Sequence, residues 1–486
     1  MANPFLPLNE YIPDGEAHVF GDRVYLYGSH DSEGGTRFCE RDYVVYSASV
    51  NDLEHWTYHG VSYKKSQDKR SVGDKLVDYY APDCVKGNDG RYYLYYVAMG
   101  PNTKSFGPMS VAVADKPEGP FEYLGDIQYS DGSPVLKYLT NDPTVINDNG
   151  KIYMYYGWGL GRDFRSKVFA PILNVVQNKL FDRSISEIKA TKPSILSCAV
   201  VELEEDMMTV KYEPRSVLDS KTTADKRGPL YHHAFYEAPS IRKFHDTYYL
   251  TYSSGQNNEL CYATSKYPDR DFEYRGVLIS NSDLGYKGNQ KRLAAAGTIH
   301  GSVECINGNY YIFYHRCTHN TDFSRQACVE PIYMNDDGSF SQVEITTQGV
   351  SSPLIAKGTF LASICCNLFN KYTKNVQGNG HGQSQPNITH DENGQYITAI
   401  SNGTAIGYKY FRFNDAREIS VITRNAVGQI LVFTNLEEEP LTVIELKSGD
   451  NWSMSKSKFE SIQGEYPLYF VYKGEGKMEF LSFSLD

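Results

Sequence analysis

Short runs in which apolar and polar residues alternate, rich in tyrosine, recur along the first two thirds of the chain. Five of them are RVYLYG from Arg23, RYYLYY from Arg91, KIYMYY from Lys151, TYYLTY from Thr247 and NYYIFY from Asn309. Alternation carried by aromatic and β-branched residues predicts strands. Each run follows a turn-forming cluster (FGD, GNDG, NDNG, HD or NG), so each copy predicts a hairpin. Taking Tyr25, Tyr93, Tyr153, Tyr249 and Tyr311 as equivalent, the spacings are 68, 60, 96 and 62 residues (93−25, 153−93, 249−153, 311−249). A hairpin repeat of this period, with no helical pattern between copies, predicts the blades of a β-propeller and not a helical solenoid. The long spacing places an insertion in blade three, whose tail holds LSCAVVELEEDMMTV and a charged loop, DSKTTADKRGP.

Stepping back from each tyrosine finds an ionisable residue: Asp14 eleven before Tyr25, Asp83 ten before Tyr93, Asp142 eleven before Tyr153, Glu237 twelve before Tyr249 and His300 eleven before Tyr311. The first strand of each blade lines the central channel, so residues at its start gather at one end of the axis. Four carboxylates and one histidine are therefore expected to converge. Glu237 stands among aromatics and a proline in YHHAFYEAPS. Desolvation there would raise its pKa, as a general acid working near neutrality requires. His232 and His233 do not read as a metal pair, because neighbours in an extended segment point to opposite faces. The Asn and Asp runs at 147–149 and 335–337 read as hairpin turns.

After about residue 355 the tyrosine repeat stops. Residues 365–395 are polar, with NVQGNGHGQSQPN as an irregular loop, and from Thr404 short strands resume: AIGYKYFRF, REISVITR, GQILVFT, LTVIELK, YPLYFVY and GKMEFLSFSL. Their spacing predicts an antiparallel sandwich. The expected fold is all-β: a five-bladed propeller over residues 1–355, then a jelly-roll-like β-sandwich over 356–486. A chain of 486 residues also suggests two domains.

Charge narrows the partners. Forty-eight basic against 59 acidic residues give a net −11, a poor surface for nucleic acid or anionic membranes. No stretch of 18 apolar residues offers a membrane span, and MANPFLPLNEYIPDGEA lacks the pattern of a signal peptide. Nine scattered cysteines read as free buried thiols of a reducing compartment, which makes a cytoplasmic location the expectation and the sequons at Asn387, Asn402 and Asn451 chance matches. The 40 tyrosines suit strands but also sugar faces.

Six elements in order, IPDGEAHVFGDRVYLYGSHD, YYAPDCVKGNDGRYYLYY, NDPTVINDNGKIYMYY, YEAPSIRKFHDTYYLTYSSG, GTIHGSVECINGNYYIFYHR and SRQACVEPI, together resemble glycoside hydrolase family 43. These are five-bladed propellers that include β-xylosidases and α-L-arabinofuranosidases. The resemblance implies that Asp14 is the catalytic base, Glu237 the general acid and Asp142 a third carboxylate that orients the acid and tunes its pKa. It implies that His300 lies near the axis against a metal or water, with calcium as the expected ion, and that Arg325 reaches the sugar pocket. Tyr80 stands where the family usually has tryptophan, which alters the pocket wall, and Asp83 matches no catalytic position. No organic cofactor is implied. The implied activity is inverting removal of a terminal pentose from xylo- or arabino-oligosaccharides. A β-1,4-xylosidase is favoured, since a protein kept in the cell meets short imported oligomers. An α-L-arabinofuranosidase acting on arabinoxylan or arabinan is the alternative, and a sugar-binding propeller without catalysis comes third. The C-terminal region is similar to a family 6 carbohydrate-binding module, though Trp452 is its only tryptophan, and a domain that merely braces the propeller would look the same.

Overall fold

The computed structural model describes residues 2–100, 107–159, 161, 175, 178–179, 196–255, 258–374 and 385–486. Four antiparallel sheets of four strands and one of three follow one another in chain order up to Ile332, forming the five propeller blades. The inner strands are Glu16–Phe20, Asp78–Lys86, Thr144–Asp148, Phe235–Phe244 and Val303–Ile306. Each pairs with one of the tyrosine runs, so every predicted hairpin forms. Most of the blade-three insertion lies outside the described residues, as do 375–384 of the predicted irregular loop.

The tyrosine repeat has a packing cause. Along the second strand of blade two, Tyr93, Tyr95 and Val97 pack toward blade three, against Ile152, Met154 and Tyr156. Leu94, Tyr96 and Ala98 point the other way, against Tyr25, Tyr27 and Val45 of blade one. A strand with a blade on either side is buried on both faces, and alternate side chains fill opposite seams. The twelve largest fully buried side chains are all tyrosines. Their hydroxyls find partners at the seam edges, as in Tyr27 to Pro117 O at 2.6 Å and Tyr95 to Met207 O at 3.0 Å. Most of the tyrosine excess therefore serves the seams and not sugar.

Blade five has three strands, and the N-terminal segment runs along its outer edge. Phe5 N–H donates to Ala327 O at 3.2 Å, while the Asn3 side chain accepts from Val329 N–H and donates to Val329 O, both at 3.0 Å. This occupies an edge that would otherwise be open to pairing with another chain.

From Leu354–Ile355 onward, two six-stranded sheets enclose an apolar core that includes Tyr408, Phe411, Phe470 and Phe483. All six strands expected after Thr404 are present. Six others, including Gly394–Ile400 and Ser453–Lys458, carry too little alternation to have been foreseen. The sandwich meets the propeller through Lys409, whose ammonium lies 3.0 Å from both Asp283 and Glu344, and through the backbone pairing of His319 with Ile388.

Candidate active site

A pocket opens at the end of the axis where the inner strands begin. Asp14, Tyr80, Asp142, Glu237, His300 and Arg325, which come from all five blades, line it together with Phe38, Met99, Asn141, Trp158, Ala238, Thr298 and Ile299. All six residues singled out for the site are thus in one place.

Asp83 is not among them, so the expected convergence of four carboxylates and a histidine is corrected to three carboxylates and a histidine. The reason lies in strand phase. The five tyrosines pair with His18, Val85, Ile146, Arg242 and Glu304. Four residues upstream of these stand Asp14, Ala81, Asp142, Ala238 and His300. The first four share a left-handed backbone, with φ of 60°, 29°, 46° and 60°. Blade two therefore presents Tyr80, the neighbour of Ala81, at the pocket, and the register shifts between Tyr80 and Asp83. Asp83 sits lower on the axis, fully buried, accepting from Thr144 Oγ1 at 2.8 Å and Val145 N–H at 2.7 Å, with His18 Nε2 at 2.5 Å. In blade four the left-handed residue is Ala238, which aims the preceding Glu237 into the pocket. Non-glycine residues adopt this conformation at a cost that the surrounding structure must offset, and such strain gathers at functional sites.

The carboxylates differ in charge state. Burial, then the charge of Asp142, pushes Glu237 up to about 8, so it is protonated at neutral pH. Burial likewise lifts Asp142 to about 6. Burial would also raise Asp14, but Arg325, whose Nη1 donates to Asp14 Oδ1 at 2.9 Å, and the other polar groups around it together outweigh burial and hold this carboxyl below its usual range. His315 fixes the Asp14 backbone, accepting its N–H on Nδ1 at 3.1 Å. Burial pushes that imidazole down to about 3, so it stays neutral. Burial opposes charge on His300 as well, yet Glu16, Asp14 and Asp142 around it lift it to about 9. His300 Nε2 lies 3.6 Å from Glu16 Oε1, and neither atom has a hydrogen-bond partner among the described residues.

Sequence reasoning missed three residues here. Trp158, at the end of the YYGWG run, donates its indole N–H to Glu237 Oε2 at 3.2 Å. Asp31 is fully buried and grips Arg325, accepting from Nε at 2.8 Å and Nη2 at 3.0 Å. Phe38 covers the same guanidinium, with its ring 4.7 Å from Cζ. A tryptophan next to a blade start was a usable signal. Nothing in the spacing pointed to Asp31 or Phe38.

Below the pocket the axis is filled. Arg242 bonds Glu16 Oε2 and Glu304 Oε2, each at 2.9 Å, beside the His18–Asp83 pair.

Comparison with known proteins agrees with this geometry. The family model for glycosyl hydrolases family 43 matches residues 1–340. The chain is similar to a xylosidase/arabinosidase of Thermoclostridium stercorarium, 38% identical over 501 residues that cover 99% of this chain and 98% of that protein. Among solved structures it resembles the RS223 β-xylosidase, with 29% identity, a TM-score of 0.52 and coverage of 69% of this chain and 97% of that one. It also resembles a β-xylosidase/α-arabinofuranosidase from a compost microbial metagenome, solved with xylotriose in a calcium-free form (26% identity, TM-score 0.51, 71% and 98% covered). With its first 340 residues matched by the family model and its pocket built from five blade starts, the chain belongs to glycosyl hydrolases family 43.

Proposed function

We propose that the protein is an inverting exo-glycosidase that releases terminal xylose from β-1,4-xylo-oligosaccharides. The observation that carries this reading is the opposed protonation of two carboxyls in one pocket, Glu237 protonated and Asp14 ionised. Inversion needs an acid on the leaving-group oxygen and a base on water at the opposite face of the sugar, about 6.5–9.5 Å apart. In this reading Glu237 gives its proton to the glycosidic oxygen. Asp14 takes a proton from the attacking water, and Asp142 keeps Glu237 protonated and in place. Arg325, Tyr80 and Phe38 wall the sugar. That relatives are named xylosidase/arabinosidase and β-xylosidase supports release of a terminal pentose.

A divalent cation fits the axis beneath the sugar, where the partnerless His300 Nε2 and Glu16 Oε1 face one another. Calcium would be held there by these two atoms and water, supplying positive charge near the three carboxylates. It would replace the proton that His300 otherwise carries. That a relative was described in a calcium-free form supports the idea.

Hydrolysis of p-nitrophenyl β-D-xylopyranoside, whose only sugar product is the released xylose, followed by proton NMR tests the proposal. The expected first product is α-xylose from the β-linked substrate. Initial release of β-xylose, or no release from xylobiose and p-nitrophenyl β-D-xylopyranoside, would overturn it. α-L-Arabinofuranosidase activity is the second reading, favoured by the double name of the T. stercorarium relative. Comparing kcat/KM on xylobiose with that on arabinosylated xylotriose separates the two.

A further inference from the structure

Blade four carries a second cluster of ligand-type side chains, separate from the pocket and the axis. His233 Nδ1 lies 2.6 Å from Glu259 Oε1, Cys261 Sγ lies 3.5 Å from the same oxygen, and sulfur and imidazole nitrogen are 4.0 Å apart. Ser254 Oγ is 2.7 Å from Glu259 Oε1. His233 ends the short turn Pro229–His233, and Ser254 ends the second strand of the blade. Glu259 and Cys261 are two apart on the third strand and so share one face.

We propose that His233, Glu259 and Cys261 bind a divalent metal of the zinc class. A tetrahedral zinc with bonds of about 2.0–2.3 Å spaces its ligand atoms about 3.3–3.6 Å apart. The sulfur–oxygen separation already has that value. The other two edges reach it if the imidazole moves by less than about 1 Å, opening one distance and closing the other. His233 is the least confined of the three: its side chain is 27% exposed and stacked on Tyr274, with ring centroids 5.1 Å apart, while Glu259 and Cys261 are buried. One nitrogen, one sulfur and one carboxylate oxygen select zinc or cobalt and not calcium. A thiolate and a carboxylate around a divalent ion sum to zero charge, which lowers the cost of burying all three. Binding replaces the thiol proton, one S–H bond giving way to one S–metal bond with the proton released to solvent. The ion would tie the turn that precedes the Glu237 strand to the third strand of the blade. The site does not depend on the glycosidase reading.

Cobalt(II) titration of the full chain tests it, since thiolate ligation gives a charge-transfer band in the near ultraviolet. The expected result is one equivalent of cobalt bound with that band, release of about one proton per metal, displacement by zinc, and loss of the band in Cys261→Ser and His233→Ala. Zinc should also raise the melting temperature of the wild type but not of either variant. Absence of the band in the wild type at several-fold excess cobalt would overturn the proposal whether or not the variants fold. So would a band that persists in Cys261→Ser, which would place the metal on another thiol.

Discussion

The backbone N–H of Ala238, the residue after Glu237, donates to Asp142 Oδ2 at 3.0 Å. Asp142 thus reaches from blade three to the strand that carries the acid, and its charge acts on the acid at the same time. Asp142→Asn separates the two effects, because the amide oxygen can still accept the N–H while the charge is gone. Without that charge Glu237 ionises at lower pH. The alkaline limb of kcat/KM should move down by about one pH unit, with activity at pH 8 falling by about fivefold and recovering toward pH 6. A pH–rate profile on xylobiose checks this; an unmoved alkaline limb would contradict the charge role.

Trp158→Phe should move the same limb the other way. The indole N–H stabilises the Glu237 carboxylate at 3.2 Å, and phenylalanine keeps a ring in the wall without a donor. Losing one hydrogen bond to the ionised form is worth about 1 kcal/mol, or somewhat less than one pH unit upward. A shift in the same direction as Asp142→Asn would mean that Trp158 does not act on the acid.

Much of the fold and part of the site could be read from the chain because strand phase is periodic, so a tyrosine every blade and an acid some eleven residues before it mark the same places in space. Phase also explains the failure. Asp83 counts ten back from its tyrosine, while the left-handed residue of blade two, Ala81, counts twelve. A two-residue difference across a bulge is invisible in a spacing that tolerates ten to twelve. Asp31 and Phe38 stand in the segment that follows the second strand of blade one, outside any repeat, so only the fold shows that they meet Arg325.

Arg325 is shared between two carboxylates, and that sharing sets the base. Burial pushes the Asp31 carboxyl up, and N–H groups of Arg325 and Cys39 that donate to it oppose that rise. Asp31→Asn leaves the guanidinium with Asp14 alone, which lowers the Asp14 pKa further and weakens it as a base. The acid limb of kcat/KM should move down, and kcat should fall by about ten- to a hundredfold. Breaking a buried pair should also cost about 3–5 kcal/mol of stability. A melting curve and the pH profile together check this, since a purely structural Asp31 would change the first and not the second.

Exhaustive treatment with EDTA should lower kcat on xylobiose and added calcium should restore it. His300→Ala should abolish that response while leaving residual activity unchanged by either reagent. Because the ion competes with a proton on His300, calcium affinity measured by calorimetry should rise between pH 6 and pH 8. Full activity after chelation, with no calcium found by elemental analysis, would leave His300 as a charged lining residue only.

Lys409 joins the sandwich to the propeller under nearly complete burial, its ammonium 3.0 Å from Asp283 Oδ2 and 3.0 Å from Glu344 Oε2. Replacing it with methionine keeps most of the volume and removes the only cation that bonds Asp283 among the described residues, so a buried carboxylate is left without compensation. That should cost about 3–5 kcal/mol and lower the melting temperature of the whole chain. Burial already pushes the Asp283 carboxyl up. In the variant it rises further above its unfolded value, so a protonated Asp283 is tolerated and an ionised one is not. The penalty should therefore be small near pH 4 and grow as the pH rises through the folded-state value. Adding Asp283→Asn to Lys409→Met should recover part of the loss, since the amide oxygen can still accept the Ile345 N–H that Asp283 now holds at 2.8 Å. Melting curves at pH 5 and pH 8 for the two single variants and the double variant measure the coupling. A double variant no more stable than Lys409→Met at pH 8 would mean that Asp283 is not the group the lysine neutralises.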